Sequence, residues 1–156
     1  LFRSPLAGDE QTKSSDLGLS VRYLNAQGEK IAIDKITQGT DIIIETTVRH
    51  PGIRDDYQEM ALTHMVPAGW EIRNQRMENF SMAGTGDSPE YQDIRDDRVY
   101  SYFDLRRGKS KTFRIVVNAA YAGRYYLPSL VCEAMYDNSI QAVIAGKWIE
   151  VTPVNQ

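Results

Sequence analysis

The stretch QGTDIIIETTVRH, residues 38 to 50, limits the fold more than any other part of this chain. Gly39 opens a turn. Ile42, Ile44, Thr46 and Val48 then alternate with Ile43, Glu45, Thr47 and Arg49. Side chains branched at Cβ crowd a helix and suit a pleated strand, and period two is the spacing of a strand with one buried face. Other segments repeat the pattern. Met60, Leu62, His64 and Val66 alternate with Glu59, Ala61, Thr63 and Met65, up to the turn signal Pro67-Ala68-Gly69. Val99, Ser101, Phe103 and Leu105 alternate with Tyr100, Tyr102 and Asp104. After the turn RRGKS, Phe113, Ile115, Val117 and Ala119 fall on one face, with Arg114 and Asn118 on the other.

DLGLSVRYLNAQGEKIAID reads as a strand, a turn at residues 26 to 29, and a second short strand. AGRYYLP, LVCEAMY and GKWIEV add further strands, and HPGIRDDY is a connecting loop. No segment keeps a helical apolar period over three turns. Regularly spaced strands with turn residues between them predict an all-β fold, an antiparallel immunoglobulin-like β-sandwich. Residues 1 to 16 are polar and without period, and are expected to form a linker or arm; 17 to 156 form the domain. SMAGTGDSP, residues 81 to 89, is expected to be a mobile loop. The chain starts at Leu1 with no signal-peptide pattern, and is expected to be processed or cut from a longer one.

The 156 residues suffice for one core, and 42% hydrophobic with 25% charged residues is an ordinary globular balance. A net charge of -3 argues against a nucleic-acid partner. No apolar run nears the roughly 18 residues of a membrane span, so direct membrane contact is not expected.

Chemistry-bearing residues are sparse. His50 and His64 lack partners at zinc-ligand spacing, and His64 falls on an apolar face, as a hydrogen-bonded core histidine would. Asp55-Asp56 and Asp96-Asp97 lack calcium-loop spacing. Arginine adjoins each, Arg54 in one and Arg95 with Arg98 in the other, which favours local ion pairs. Neither a metal nor any other cofactor is expected. No G-x-S-x-G, P-loop or dinucleotide fingerprint occurs. The lone Cys132 alternates with Leu130, Ala134 and Tyr136, as a buried strand residue would. Adjacent Glu133 would raise the thiol pKa, against a nucleophile. A hydrolase using Cys132 or paired acids is therefore weakly supported. A carbohydrate- or surface-binding module is the alternative. It would use Tyr100, Tyr102, Tyr121, Tyr125, Tyr126 and Trp148 as a row of coplanar, exposed rings.

Several stretches taken together resemble one family. RDDRVYSYFDL, GRYYLP and the EAMY that follows it, with VPAGWEIRNQR, KTFRIVVNAA and the terminal GKWIEV, are similar in order and spacing to the last macroglobulin-like domain of bacterial α2-macroglobulins. The resemblance spans about residues 17 to 151. It implies a non-catalytic domain of a protease inhibitor in the periplasm or cell envelope, with a parent chain that is often lipid-anchored. In such proteins a protease cuts a bait region, and a thioester on a separate helical domain captures it. The last macroglobulin-like domain resembles a lid over that bond. The partners implied are the thioester domain and other macroglobulin domains of the parent chain and, indirectly, target proteases. The tyrosine of the E-S/A-M-Y motif, which points at the thioester in the family, corresponds to Tyr136, with Glu133 and Met135 beside it at the interface. The C-x-E-Q thioester motif is absent, so Cys132 is not the thioester cysteine. Arg95, Asp96, Asp97 and Arg98 suit the rim of that contact or, preferably, ion pairs in the turn before RVYSYFDL.

Overall fold

The computed structural model describes residues 12–73, 87 and 89–154. Most of the expected loop at residues 81 to 89 and most of the expected arm lie outside these. Thirteen strands are described: β1 (Thr12–Ser15), β2 (Gly18–Leu24), β3 (Lys35–Thr37), β4 (Asp41–Arg49), β5 (Tyr57–Met65), β6 (Glu71–Ile72), β7 (Tyr91–Ile94), β8 (Arg98–Leu105), β9 (Ser110–Asn118), β10 (Gly123–Leu127), β11 (Leu130–Ala134), β12 (Asp137–Ile144) and β13 (Lys147–Thr152).

They form three sheets. One runs β1-β12-β11-β5-β8-β7, one β2-β4-β9-β6, and one β10-β13-β3. Every pairing is antiparallel except β13 with β3. The alternation read from the sequence sets the inward faces. On β5, Met60, Leu62 and His64 are buried, and on β8, Val99, Ser101, Phe103 and Leu105. Met60, Leu62, Phe103 and Leu105 meet Leu19, Val48 and Phe113 of the four-stranded sheet, and Phe103 lies against Phe113 with ring centroids 4.8 Å apart. A second cluster packs Ile36, Leu127, Ile149 and Val151 of the three-stranded sheet onto Ile42, Ile44, Ile115 and Val117. This is an all-β, immunoglobulin-like sandwich.

Four differences from the sequence reading have physical causes. Four residues of the polar stretch before residue 17 form β1, because β12 offers an edge whose backbone groups need partners. The second short strand near residue 30 is a single bridge, Leu24 to Lys30, and the chain pairs again only at β3. Strand β4 is buried on both faces, with Ile43 packed between Leu24 and Val116. LVCEAMY does not run as one strand to its tyrosine: β11 stops at Ala134, Met135 and Tyr136 make a two-residue turn, and residues 137 to 144 return as β12.

Candidate functional site

The returning hairpin of β11 and β12 lifts Tyr136 off the face that Cys132 occupies. Leu130, Cys132 and Ala134 point inward, and strict alternation would send Tyr136 after them. The ladder instead shifts between Glu133 and Ala134. Glu133 pairs with Gln141, whereas Ala134 pairs with Asp137. Residues 138 to 140 bulge from β12, and the turn swings outward. Tyr136 is 82% exposed, the most exposed large hydrophobic side chain among the described residues, and Met135 is 49% exposed. Glu133 is exposed on the same strand end. The three residues assigned to an interface are thus grouped at one tip of the sandwich.

Arg54 braces this tip. Sequence proximity suggested a pair with Asp55 or Asp56, but its guanidinium reaches residues far along the chain. Nη2 lies 2.9 Å from Asp16 Oδ2, and Nη1 donates to Ser139 Oγ at 2.8 Å and to Asp137 Oδ2 at 3.4 Å. The Asp137 carboxylate also accepts from the hydroxyl and backbone N–H of Ser139, and these bonds hold its pKa low. The loop carrying Arg54 is rigidly built. Gly52 N–H donates to His50 Nδ1, so the ring is the Nε2–H tautomer and donates to Asp55 C=O, both at 2.9 Å. His50 also stacks on Tyr57, 3.9 Å between centroids. Asp56 accepts from Arg107 N–H, tying the loop to the β8–β9 turn. Ile53, next to Arg54, is 72% exposed and adds apolar surface at this end.

Cys132 is inert by placement. It has no exposed surface, and burial first, then the charge of Glu133, pushes its thiol pKa up. We expect native Cys132 to resist a thiol-specific aromatic disulfide and to react stoichiometrically once denaturant unfolds the chain. Prompt reaction of the native form would contradict this placement.

The turn between β7 and β8 holds the second group. Asp97 accepts two hydrogen bonds from Arg98, each 3.0 Å, and these lower its pKa. Arg95 pairs with Asp93 at 3.2 Å rather than with Asp96, and its N–H closes the turn onto Arg98 C=O. Among the described residues no group of three or more His, Cys, Asp or Glu is placed to hold a metal ion.

The aromatics do not form the row that sugar binding would use. Tyr100 and Tyr102 are half-buried on β8. Tyr126 and Trp148 are exposed on another sheet, but their rings meet at 77°, and the Arg124 guanidinium lies over Trp148.

Three packed sheets, antiparallel in every pairing except β3 with β13, define the class as an all-β, immunoglobulin-like sandwich domain. Residues 17–138 match the family model for the bacterial alpha-2-macroglobulin MG10 domain, and the chain belongs to that family. It is 26% identical over 145 residues to alpha-2-macroglobulin of Pasteurella multocida, covering 92% of this chain and 7% of that protein. It is 24% identical over 155 residues to the alpha-2-macroglobulin homolog of Yersinia pestis, covering 86% of this chain and 8% of the other. The chain therefore spans under a tenth of the length of these relatives. Native Escherichia coli alpha-2-macroglobulin, solved from domain MG7 to the C-terminus, superposes with a TM-score of 0.80 at 19% identity, over 96% of this chain and 25% of that one.

Proposed function

We propose that this domain is the last macroglobulin-like domain of a larger bacterial α2-macroglobulin-like protease inhibitor in the cell envelope. It is a non-catalytic lid that docks on a thioester domain through Tyr136, Met135 and Glu133. The observation that carries the reading is the exposure of Tyr136 at a hairpin tip braced from two sides. An exposed aromatic ring on a rigid support gains by docking: covering a tyrosine removes roughly 150–250 Å² from water. The same cover serves a thioester, which survives only where water and amines are kept away. A tyrosine ring gives apolar cover, and its hydroxyl can keep a hydrogen bond at the edge of the contact. The contact is a small knob rather than a broad apolar face, which suits a lid that must release when the bait is cut.

The test is methylamine uptake by the uncut full-length parent. Tyr136→Ala is expected to raise its rate by about tenfold or more, a barrier change of about 1.4 kcal/mol. The domain's own stability should stay within about 0.5 kcal/mol, because the side chain is exposed. An unchanged uptake rate would overturn the shielding role.

A further inference from the structure

We infer that Asp104, Arg54 and the bulge at Glu59 are positioning residues for Tyr136, holding its hairpin at a set angle. The inference rests on the shielding reading for its consequence, and on geometry for its substance. Three irregularities in neighbouring strands converge on the Met135–Tyr136 turn. Strand β5 carries an extra residue against β8, with a register shift between Tyr57 and Met60. Within it Glu59 has φ of 56°, a left-handed conformation that costs a non-glycine residue energy and persists only where neighbours enforce it. The neighbours are visible. Asp104 Oδ1 accepts from Glu59 N–H at 3.0 Å, and Glu59 C=O accepts from Met135 N–H at 2.9 Å. The strained peptide is thus a relay from β8 through β5 to the residue before Tyr136.

On the other flank Arg54 bonds to Asp137, at the start of β12, and to Ser139 within its bulge. Its remaining arm is fixed to Asp16, itself at φ 55°, whose C=O accepts from Tyr57 O–H at 2.7 Å. Tyr136 therefore sits between a backbone anchor at 135 and a guanidinium anchor at 137 and 139. Sheet pairing alone would need neither: a plain two-residue hairpin leaves its tip free to twist. Bulges placed side by side, with a left-handed glutamate among them, are how a strand end re-aims one side chain.

The experiment uses the uncut full-length parent and two readouts. Hydrogen exchange of a peptide covering residues 134 to 140 reports the anchors directly. Methylamine uptake reports the cover. Asp104→Ala and Arg54→Ala should each speed exchange there by about tenfold, as loss of a hydrogen bond to a charged group does. Asp104→Asn should stay near the parent, because its carbonyl oxygen still accepts from Glu59 N–H. Glu59→Gly should too, because glycine adopts this φ without strain. Methylamine uptake should rise in Asp104→Ala, and no further when Tyr136→Ala is added to it. Unchanged exchange in Asp104→Ala and Arg54→Ala would overturn the inference. So would fast uptake in Tyr136→Ala alongside normal uptake in both anchor variants. Raised exchange with normal uptake in every variant, Tyr136→Ala included, would support the anchors and overturn the shielding reading instead.

Discussion

Phe103→Ala is expected to destabilise the domain by about 3–5 kcal/mol, the range for removing a large aromatic from a packed core. At 1% exposure the ring is among the largest fully buried side chains described. It also spans the sandwich, since β8 belongs to the six-stranded sheet and its partner Phe113 to the facing one. Removing it leaves both sheets facing a void that neither can close without bending its ladder. The melting temperature should fall by roughly 10 °C, given about 2–4 °C per kcal/mol for a domain of this size. Phe103→Leu should recover much of the loss, because it restores most of the volume. A shift of only a few degrees for Phe103→Ala would mean that the two sheets are not sealed through this pair.

Acid should weaken the fold through His64. The ring is buried among apolar neighbours, and burial lowers its pKa from the ordinary 6.5 to about 4. Its Nε2 lies 2.6 Å from Thr46 Oγ1, a bond between facing sheets, while Nδ1 has no hydrogen-bond partner. A second proton on the ring would place an unpaired charge in the core. Between pH 6.5 and 4 the unfolded chain binds that proton and the folded one does not, so stability falls as pH falls. At about 1.36 kcal/mol per pH unit, roughly 3 kcal/mol is lost across that window. Above pH 6.5 the contribution is flat. Glu45 adds to acid sensitivity at lower pH. Burial raises its pKa, but hydrogen bonds from Arg22 and Arg114 more than offset this, and the net shift is downward. Its stabilisation is present above the ordinary carboxylate pKa and is lost as pH drops through the lowered value. Denaturant titrations from pH 7.5 down to about 3, with His64→Gln beside the parent sequence, separate the two. The variant should lose the slope between pH 6.5 and 5. A His64 ring that titrates near 6.5 by NMR would contradict the assignment.

Alternation made β4, β5, β8 and β9 the most readable strands, and the segments that form β2, β10, β11 and β13 were legible as strands too. The burial of Cys132 was readable for the same reason, since its neighbours Leu130 and Ala134 share its phase. Strand β12 was not. It opens with Asp137-Asn138-Ser139, which looks like a turn, and its apolar phase starts only at Ile140. Strands β1 and β3 owe their existence to a neighbour's unpaired edge, which local composition does not encode.

The site divides in the same way. Resemblance to a family motif drew attention to Tyr136, but the phase of its own strand pointed the side chain inward. Only the register shift at Glu133 and Ala134 turns it out. Arg54 stands next to Asp55-Asp56 in the sequence, yet it pairs with Asp16 and Asp137. Asp104 was merely an outward residue of β8 until β5 laid Glu59 beside it.

By itself, then, the sequence determined which faces are apolar, because the alternation of side chains along a strand is a local property of the chain. Tertiary structure alone decided which strands are neighbours, and in what register. Register places Arg54, Glu59 and Asp104 around a turn many residues away from each of them. It is set by the packing of whole sheets, and a single misaligned residue would carry Glu59 or Asp104 to the opposite face.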